Sequence, residues 1–475
     1  MRFETRRAYA IEKMGMTNGK MQEKSVTEGK TIRVSYDGFS LFFDNAKGKL
    51  TAAYSLNCCC ADGVLQGGIG YEFYRDFNGN FVQTAPIEKL KAVYLLDSWA
   101  SEDGMEIKTN YFALGNDGYI YQYSSEQGEY QKKASLGKSA GIAAAVAPNG
   151  ETRFLVAGEN GICCVDGEKW VLISGAGVEN GTAAVCFSKN RVFVGEKPCK
   201  LLYSNPEEPW DFTSSYDEGG YVYLPLNKGN IVDITEYGDS VYIFFQRGIM
   251  RLKPDGLARN FQLSETEYFG GEIFGGSVGV CGNWIFFLTE NGICRFDGKQ
   301  AETVGRFLGV TPLKDGQTCA HATVGEYFVL QYEDESWGGK RTAALRSDGK
   351  DGYYLSDFKA LNECNRMPIC SVDNYFATLR MGGALPSGEE CVFLSGRLDF
   401  GTAGRKYLKS ITLYGEGCFS FEVIHDWKTT RFEVEDLPMK GSFKIGISAE
   451  EFSLRFLLDK GAKVRRVELE YERIN

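Results

Sequence analysis

The stretch Asn283–Gly298, NWIFFLTENGICRFDG, predicts the fold. It contains an apolar run, a short turn that ends in glycine, and a second apolar run followed by Asp-Gly. Aromatic and β-branched side chains favour strands, and glycine supplies the positive φ angles of tight turns. The segment therefore predicts a β-hairpin with two buried strands.

The same pattern recurs along the chain at a nearly constant spacing. The turn residues Gly118 and Gly161 are 43 residues apart, and Gly248 and Gly292 are 44 apart. This period fits one four-stranded blade of a β-propeller, in which the hairpin is joined by two less distinctive strands. We predict an all-β protein with a propeller of about six to seven blades. The other copies of the pattern are Tyr111–Tyr123, Arg153–Gly167, Arg191–Ser204, Val241–Gly256, Tyr327–Gly349 and Tyr375–Gly396.

The two ends of the chain do not follow this period. Residues 396–475 contain short alternating segments such as KSITLYGEG, CFSFEVIHD, TRFEVEDL and SFKIGIS, which predict a small C-terminal β-sandwich. Residues 1–85 predict an N-terminal β extension that includes a hairpin turning at Asn78-Gly79. The propeller is expected to span residues 86–395 between them.

Composition agrees with this fold class and limits the partners. The 475 residues include 57 Gly and 13% aromatic residues, as expected for many strands joined by tight turns. The net charge is −10, and no cluster of about five or more basic residues exists. Nucleic acid and anionic membranes are therefore unexpected partners.

The sequence also predicts where the chain folds. Residues 1–20 lack the apolar core of a secretory signal, and no apolar run approaches the roughly 18 residues of a membrane span. The 14 cysteines are too sparse for a disulfide scaffold, and several lie within apolar strand patterns. We expect assembly in a reducing cytoplasm, without membrane anchoring.

Few residue patterns suggest catalysis. His321 and His425 fall in different predicted domains, so a zinc site or a Ser-His-Asp triad is not expected. Asp76–Asn80, DFNGN, resembles the start of a calcium loop but lacks its later glycine and glutamate, and we interpret it as a hairpin turn. Nucleotide-binding motifs and the repeated boxes of enzymatic propellers are missing, although a glycosidase carboxylate pair could exist without a local signature. We predict a non-enzymatic protein with no catalytic, metal or cofactor-binding residues and no cofactor.

The three consecutive cysteines Cys58–Cys60 raise the question of a metal or redox site. If Tyr54–Cys60 is one strand, Cys58 and Cys60 point to one face and Cys59 to the other. No more than two thiolates could then reach one metal, and no second ligand pair with zinc spacing follows. We interpret the cysteines as buried packing, with metal binding, redox chemistry and cross-linking as alternatives. The residues on either side of the cysteines, Leu56-Asn57 and Asp62–Leu65, are more informative about the architecture than the cysteines themselves.

Several of these segments together resemble the β-propeller structural proteins of tailed bacteriophages, the group that includes podovirus tail nozzles. The resemblance is one of pattern over much of the chain. The segments that carry it are Ala52–Tyr71, Arg191–Phe212, Gly229–Leu252, Gly275–Gly298 and Ser395–Gly417.

This resemblance implies a subunit of a neck or tail ring that forms part of the DNA exit channel of a virion. The implied partners are other copies in a homo-oligomeric ring, with a hexamer as our guess, and adjacent tail, neck or portal-adaptor proteins. DNA would pass through without specific binding. The alternatives are a carbohydrate-active propeller, either a glycan hydrolase or a lectin, and a propeller adaptor that binds protein.

Overall fold

The computed structural model describes residues 31–37, 39–40, 49–75, 79–84, 90–99, 107–124, 127, 129–135, 137, 140–146, 152–158, 161–166, 169–172, 182–213, 218–268, 270–364 and 367–474. Within these residues every regular element is a β-strand or a short 3₁₀ turn, so the all-β prediction is confirmed. The part of the chain so described contains no helix long and apolar enough to cross a membrane.

The strands are numbered in chain order. The first ten are β1 (Thr31–Tyr36), β2 (Phe39–Ser40), β3 (Leu50–Leu56), β4 (Cys58–Cys59), β5 (Leu65–Gly67), β6 (Ile69–Phe73), β7 (Leu90–Trp99), β8 (Ile107–Gly115), β9 (Tyr119–Ser124) and β10 (Glu129–Ser135). The next ten are β11 (Ala140–Val146), β12 (Thr152–Gly158), β13 (Gly161–Asp166), β14 (Lys169–Leu172), β15 (Thr182–Ser188), β16 (Arg191–Glu196), β17 (Lys200–Tyr203), β18 (Gly220–Tyr223), β19 (Ile231–Tyr237) and β20 (Ser240–Phe245).

The remaining strands complete the series. They begin with β21 (Gly248–Lys253), β22 (Gln262–Glu265), β23 (Gly279–Cys281), β24 (Trp284–Thr289), β25 (Gly292–Phe296), β26 (Ala301–Thr303), β27 (Ala320–Val324), β28 (Tyr327–Asp334) and β29 (Gly339–Arg346). They end with β30 (Gly352–Leu355), β31 (Lys359–Cys364), β32 (Met367–Val372), β33 (Tyr375–Met381), β34 (Cys391–Ser395), β35 (Lys406–His425), β36 (Lys428–Ala449), β37 (Ser453–Leu458) and β38 (Lys463–Arg473). The 3₁₀ turns are Ala61–Gly63, Leu226–Lys228, Ala258–Asn260 and Arg306–Leu308.

The chain forms two compact units. The propeller unit comprises Phe73–Thr342 and Asp357–Leu379, and the terminal unit comprises the described residues of Met1–Glu72, Ala343–Ser356 and Arg380–Asn475. These limits are not those of the three predicted domains, 1–85, 86–395 and 396–475, whose boundaries remain a prediction.

Five complete four-stranded antiparallel sheets lie in the propeller unit, and they are the blades of a β-propeller. Their strand orders are β10-β9-β8-β7, β11-β12-β13-β14, β15-β16-β17-β18, β19-β20-β21-β22 and β23-β24-β25-β26. Strands β27 and β28 form a further antiparallel pair, and β31, β32 and β33 are antiparallel neighbours in the same unit.

The segment Asn283–Gly298 forms the predicted hairpin, β24 and β25, with Thr289 opposite Gly292. Gly292 has a φ of 108°, a left-handed conformation that glycine adopts without a steric penalty. Residues 285–288 of β24 are fully buried on both faces, because each face of a blade packs against another blade. The Phe287 ring packs 5.4 Å from that of Phe244 on β20, and Phe286 stacks 5.1 Å from Phe328 on β28.

One predicted repeat unit is wrong. In Tyr375–Gly396 the strands β33 and β34 do not pair: β33 pairs with β32, and β34 pairs with β3 and β37. The actual hairpin is β32 and β33, joined at Asp373-Asn374, where both residues have positive φ. This turn has no glycine, and the glycine-based pattern therefore missed it.

The terminal unit contains the strand order β30-β3-β34-β37-β35-β38-β5-β4, with β1 on β38, β2 on β3 and β36 on β35. The four segments quoted above are not separate short strands, since they merge into β35 and β36, of 20 and 22 residues. Gly417, the last residue of the predicted segment KSITLYGEG, lies at a register shift inside β35, where close packing against Ala462 leaves no room for a larger side chain. The C-terminal sandwich remains a prediction.

Candidate functional site: an exposed edge strand

His321 occupies a packed position in the propeller unit. Its ring stacks on Phe328, with the ring centroids 6.0 Å apart, and its Nδ1 lies 3.1 Å from the carbonyl oxygen of Gly276. The carboxylate of Asp233 accepts the backbone N–H groups of Gly276, at 3.0 Å, and Ile234, at 2.9 Å. These contacts fasten the turn that precedes β23.

The electrostatics of this cluster also indicate a structural role. Burial raises the pKa of Asp233 to about 6, and the nearby charge of His321 opposes the rise. Burial also raises the pKa of the Cys319 thiol. A reactive cysteine needs a lowered pKa, so Cys319, Asp233 and His321 do not form an activated nucleophile.

The other candidate residues lie at separate places in the fold and do not form a common site among the described residues. His425 ends β35 in the terminal unit. Residues 76–78 of the calcium-like segment lie outside the described residues; beside them, Arg75 pairs with Phe81 and donates to the carbonyl of Gly79 at 2.8 Å. Among the described His, Cys, Asp and Glu residues, no group of three or more could hold a metal ion.

The stretch Tyr54–Cys60 is not one continuous strand. Strand β3 ends at Leu56, Asn57 has a φ of 55°, and β4 begins at Cys58. The alternation of faces expected for a single strand is therefore wrong, because the left-handed residue interrupts the pleat. All three cysteines are buried.

The terminal unit contains a groove of about 850 Å³. Its lining combines carboxylates such as Glu389, Glu390 and Glu433 with the thiols of Cys391 and Cys418. Phe419 is the aromatic residue of this lining, and it is buried. The groove thus lacks the exposed aromatic surface that commonly lines small-molecule pockets, and it gives little support to the carbohydrate-active alternative.

The most unusual surface of the propeller unit is the outermost strand of the third sheet. Strand β18 pairs with β17 on one side, and no described strand pairs with its other side. Tyr221 is 53% exposed and Tyr223 is 68% exposed, and their rings meet edge to face at 5.5 Å. Val222, on the opposite face of the strand, and Leu226, beyond its end, are further exposed apolar side chains. We call Tyr221, Val222, Tyr223 and Leu226 the β18 edge.

Local packing explains the position of these side chains. Val222 lies opposite Leu201 and Tyr223 opposite Lys200 on β17, which fixes the register of β18. At Gly220 a larger side chain would press against the Tyr203 ring. Leu224 then turns inward and donates its N–H to the carbonyl of Cys199 at 2.8 Å, so the chain leaves the sheet with Leu226 exposed.

The charges around the β18 edge are paired with each other. Lys200 forms an ion pair of 3.0 Å with Glu196, and Lys228 forms one of 3.4 Å with Glu265. The Lys200 ammonium also lies 5.1 Å from the centre of the Tyr221 ring. The edge is therefore suited to an apolar partner surface rather than to a strongly charged one.

The outer strands β10 and β26 are protected in the usual ways. Strand β10 carries exposed Lys132 and Lys133, and β26 is three residues long with Glu302 paired to Arg295. Charges and short length discourage an edge strand from pairing with another chain. Strand β18, with the sequence Gly-Tyr-Val-Tyr, has neither charge nor proline. This contrast makes the β18 edge the candidate functional site.

Sequence reasoning did not identify this site. The available signal was the uncharged run Gly220–Leu224 at a position where an outer strand was expected. Its exposure could not be read from the sequence, because an alternating aromatic strand is equally typical of a buried sheet.

No family model and no curated protein matches this chain. Among solved structures, the RRP9 WD40 repeats match 65% of this chain and all of theirs, with 9% identity and a TM-score of 0.41. The computationally designed Ika8 protein matches 69% of this chain and 94% of its own, with 16% identity and a TM-score of 0.41. BBS1N, solved in complex with ARL6DN, matches 63% of this chain and 94% of its own, with 8% identity and a TM-score of 0.40. At these TM-scores the similarities add nothing to the fold described above.

Proposed function

We propose that this protein is a protein-binding propeller that captures an extended segment of its partner on the β18 edge. The observation that carries the proposal is an outer strand with one edge to which no described strand pairs, whose exposed side chains are apolar and uncharged. A partner strand would pair with the free backbone groups of β18 and place apolar side chains beside Tyr221 and Tyr223. Tyrosine is among the residues that contribute most to such interfaces.

A peptide selection tests this proposal. A displayed library of random peptides is selected on the full chain, and the bound peptides are measured against Tyr221→Ser/Tyr223→Ser. We expect extended peptides with alternating apolar residues, and a loss of affinity of about 30–700-fold in the double variant, since each of the two anchor residues contributes about 1–2 kcal/mol.

The matched control is Lys132→Ser/Lys133→Ser on the outer strand β10, which should leave the affinity unchanged. Peptides that bind the double tyrosine variant as tightly as the unchanged chain would refute a docking role for β18.

We further infer that the propeller has seven blades, which is consistent with the upper end of the predicted range. In support, the inner strands β11, β15, β19, β23, β27, β31 and β7 contact one another in that order, and β7 contacts β12. These contacts close a circle of seven inner strands. The groups of strands that contain β27 and β31 would therefore form the sixth and seventh blades.

A ring subunit of a phage tail or neck, as the sequence pattern implies, is the second candidate function. A closed ring needs a different contact surface on each side of the subunit. The observation that favours it is the tip of the β35–β36 hairpin, where Trp427 is 95% exposed. Asp426 and Trp427 both have positive φ in this turn, which normally takes Asn-Gly, so a tryptophan here does not serve the turn itself. In this role DNA passes through the ring unbound, and adjacent tail or portal-adaptor proteins contact its faces.

The substitution Trp427→Gly tests whether Trp427 is needed for ring assembly without lowering the stability of the chain. Glycine adopts positive φ freely, so the variant should unfold at the same or a higher denaturant concentration. If Trp427 is a subunit contact, light scattering and negative-stain images should show rings for the unchanged chain and smaller species for the variant. A chain that remains monomeric at every concentration would contradict the ring.

A further inference from the structure

Two thiols from distant parts of the sequence meet in the terminal unit. Cys58 on β4 and Cys391 on β34 lie close enough for each thiol to change the pKa of the other, and neither is joined in a disulfide. Leu56 and Val392 are directly paired, which brings the end of β3 beside the start of β34. Cys58 lies two residues after Leu56, and Cys391 directly precedes Val392.

A glycine makes room for this contact. Gly67 lies opposite Cys58 in the β4–β5 pair, and a Cβ added there would be 3.7 Å from the Cys391 sulfur. Cys391 therefore lies against the Cys58–Gly67 pair, and its Sγ is also 3.2 Å from the carbonyl oxygen of Asn57. A disulfide between the two thiols requires their sulfur atoms to approach to about 2.05 Å.

The two thiols differ in access to solvent. Cys58 is fully buried, whereas Cys391 is 8% exposed and contributes to the lining of the groove of about 850 Å³. The neighbouring Cys58 side chain lowers the pKa of Cys391, while burial raises the pKa of Cys58. An oxidant in the groove would therefore meet Cys391 first.

We propose that Cys58 and Cys391 form a reversible disulfide that joins β4 to β34 at the groove, with a glutathione-type disulfide as the oxidant. The Cys391 thiolate attacks one sulfur of oxidised glutathione and releases a glutathione thiolate. The Cys58 thiolate then attacks Cys391 in the mixed disulfide and releases the second glutathione thiolate. The two protein thiols lose two electrons and two protons in total, and one glutathione disulfide becomes two glutathione molecules.

Peptide mapping of the full chain after treatment with oxidised glutathione tests this pairing without any substitution. We expect one cross-linked peptide pair that contains Cys58 and Cys391, a higher midpoint of thermal unfolding, and return of both properties after reduction. A disulfide to Cys59 or Cys60, or no cross-link under conditions that modify the exposed Cys418, would overturn the proposal.

Two variants test the order of the steps. Cys58→Ser should accumulate a glutathione adduct on Cys391, because the resolving thiol is missing, whereas Cys391→Ser should leave Cys58 unmodified. The matched control Cys59→Ser changes the neighbouring buried thiol and should cross-link at an unchanged yield. An adduct on Cys58 in the Cys391→Ser variant would show that the assigned order is wrong.

Discussion

Replacing Asn57 by alanine is expected to lower the free energy of unfolding of the terminal unit by about 3–5 kcal/mol. The Asn57 side chain is completely buried and joins three segments of the chain. Its Nδ2 donates to Ser356 Oγ at 2.8 Å and to the carbonyl of Glu390 at 3.0 Å. Its Oδ1 accepts the N–H of Ser356 at 2.8 Å. Alanine would leave these buried groups without their partners.

The backbone of Asn57 adds a second, smaller contribution. Its φ of 55° is tolerated by asparagine and disfavoured for alanine by about 1 kcal/mol. Asn57→Gly removes the side-chain hydrogen bonds without this backbone penalty, and it should therefore be the milder of the two substitutions. Chemical denaturation followed by circular dichroism measures both losses.

Asn374→Ala is the matched control for this prediction. Asn374 also has a positive φ, of 67°, but its side chain is exposed in the β32–β33 turn. We expect a loss of about 1 kcal/mol or less there, from the backbone alone. Equal losses at the two positions would show that the hydrogen bonds of Asn57 contribute nothing.

Local patterns were sufficient to predict the repeated hairpins. In β24 and β25 an apolar run, a glycine turn and a second apolar run lie within one short segment, so every contact that defines the hairpin is local. The prediction failed where the local signal was ambiguous. The predicted segments KSITLYGEG and TRFEVEDL end at Gly417 and Leu437, yet the strands continue through both: Gly417 lies at a register shift in β35, and Leu437 is followed by Pro438 within the outer strand β36. A proline is compatible with an outer strand because its missing N–H is not needed there.

The candidate sites depend on contacts between distant residues, which a single sequence does not specify. Asn57 and Ser356 are 299 positions apart, and Cys58 meets Cys391 from similarly distant segments. The β18 edge poses a different difficulty, since Tyr221 and Tyr223 have the composition of a buried strand. Their exposure follows from the position of β18 as the last strand of its sheet, which is a property of the assembled blade.

Asp334→Ala is expected to destabilise the propeller unit by about 3–5 kcal/mol. The Asp334 side chain is fully buried. Its Oδ1 accepts the hydroxyls of Thr311 and Ser336, both at 2.7 Å, and the N–H of Trp337 at 3.0 Å. Its Oδ2 accepts the Tyr332 hydroxyl at 2.9 Å. Alanine would remove the acceptor of the buried Tyr332 hydroxyl and would release the exposed or half-buried residues Thr311, Ser336 and Trp337 from this turn.

The pH dependence of Asp334 provides a sharper test than the size of the loss. Burial alone would raise its pKa, but the hydrogen bonds from Ser336, Thr311, Tyr332 and Trp337 outweigh burial and lower it. A carboxyl whose pKa is lower in the folded state stabilises the fold above its unfolded pKa of about 4, and this contribution is lost as the pH falls. The stability difference between the unchanged chain and Asp334→Asn should therefore be constant near neutral pH and should shrink in acid.

Asp233→Asn is the control, and we expect its effect on stability to depend on pH in the opposite direction to that of Asp334→Asn. Because the pKa of Asp233 is raised to about 6, folding favours its protonated form, and its contribution to stability decreases as the pH rises from about 4 to about 6. Over that interval the stability difference for Asp233→Asn should shrink with rising pH, whereas the difference for Asp334→Asn should not. Denaturation curves across this range measure both, and parallel pH profiles for the two variants would contradict the assigned electrostatics. Opposite profiles are expected because hydrogen-bond donors outweigh burial at Asp334, whereas burial outweighs them at Asp233.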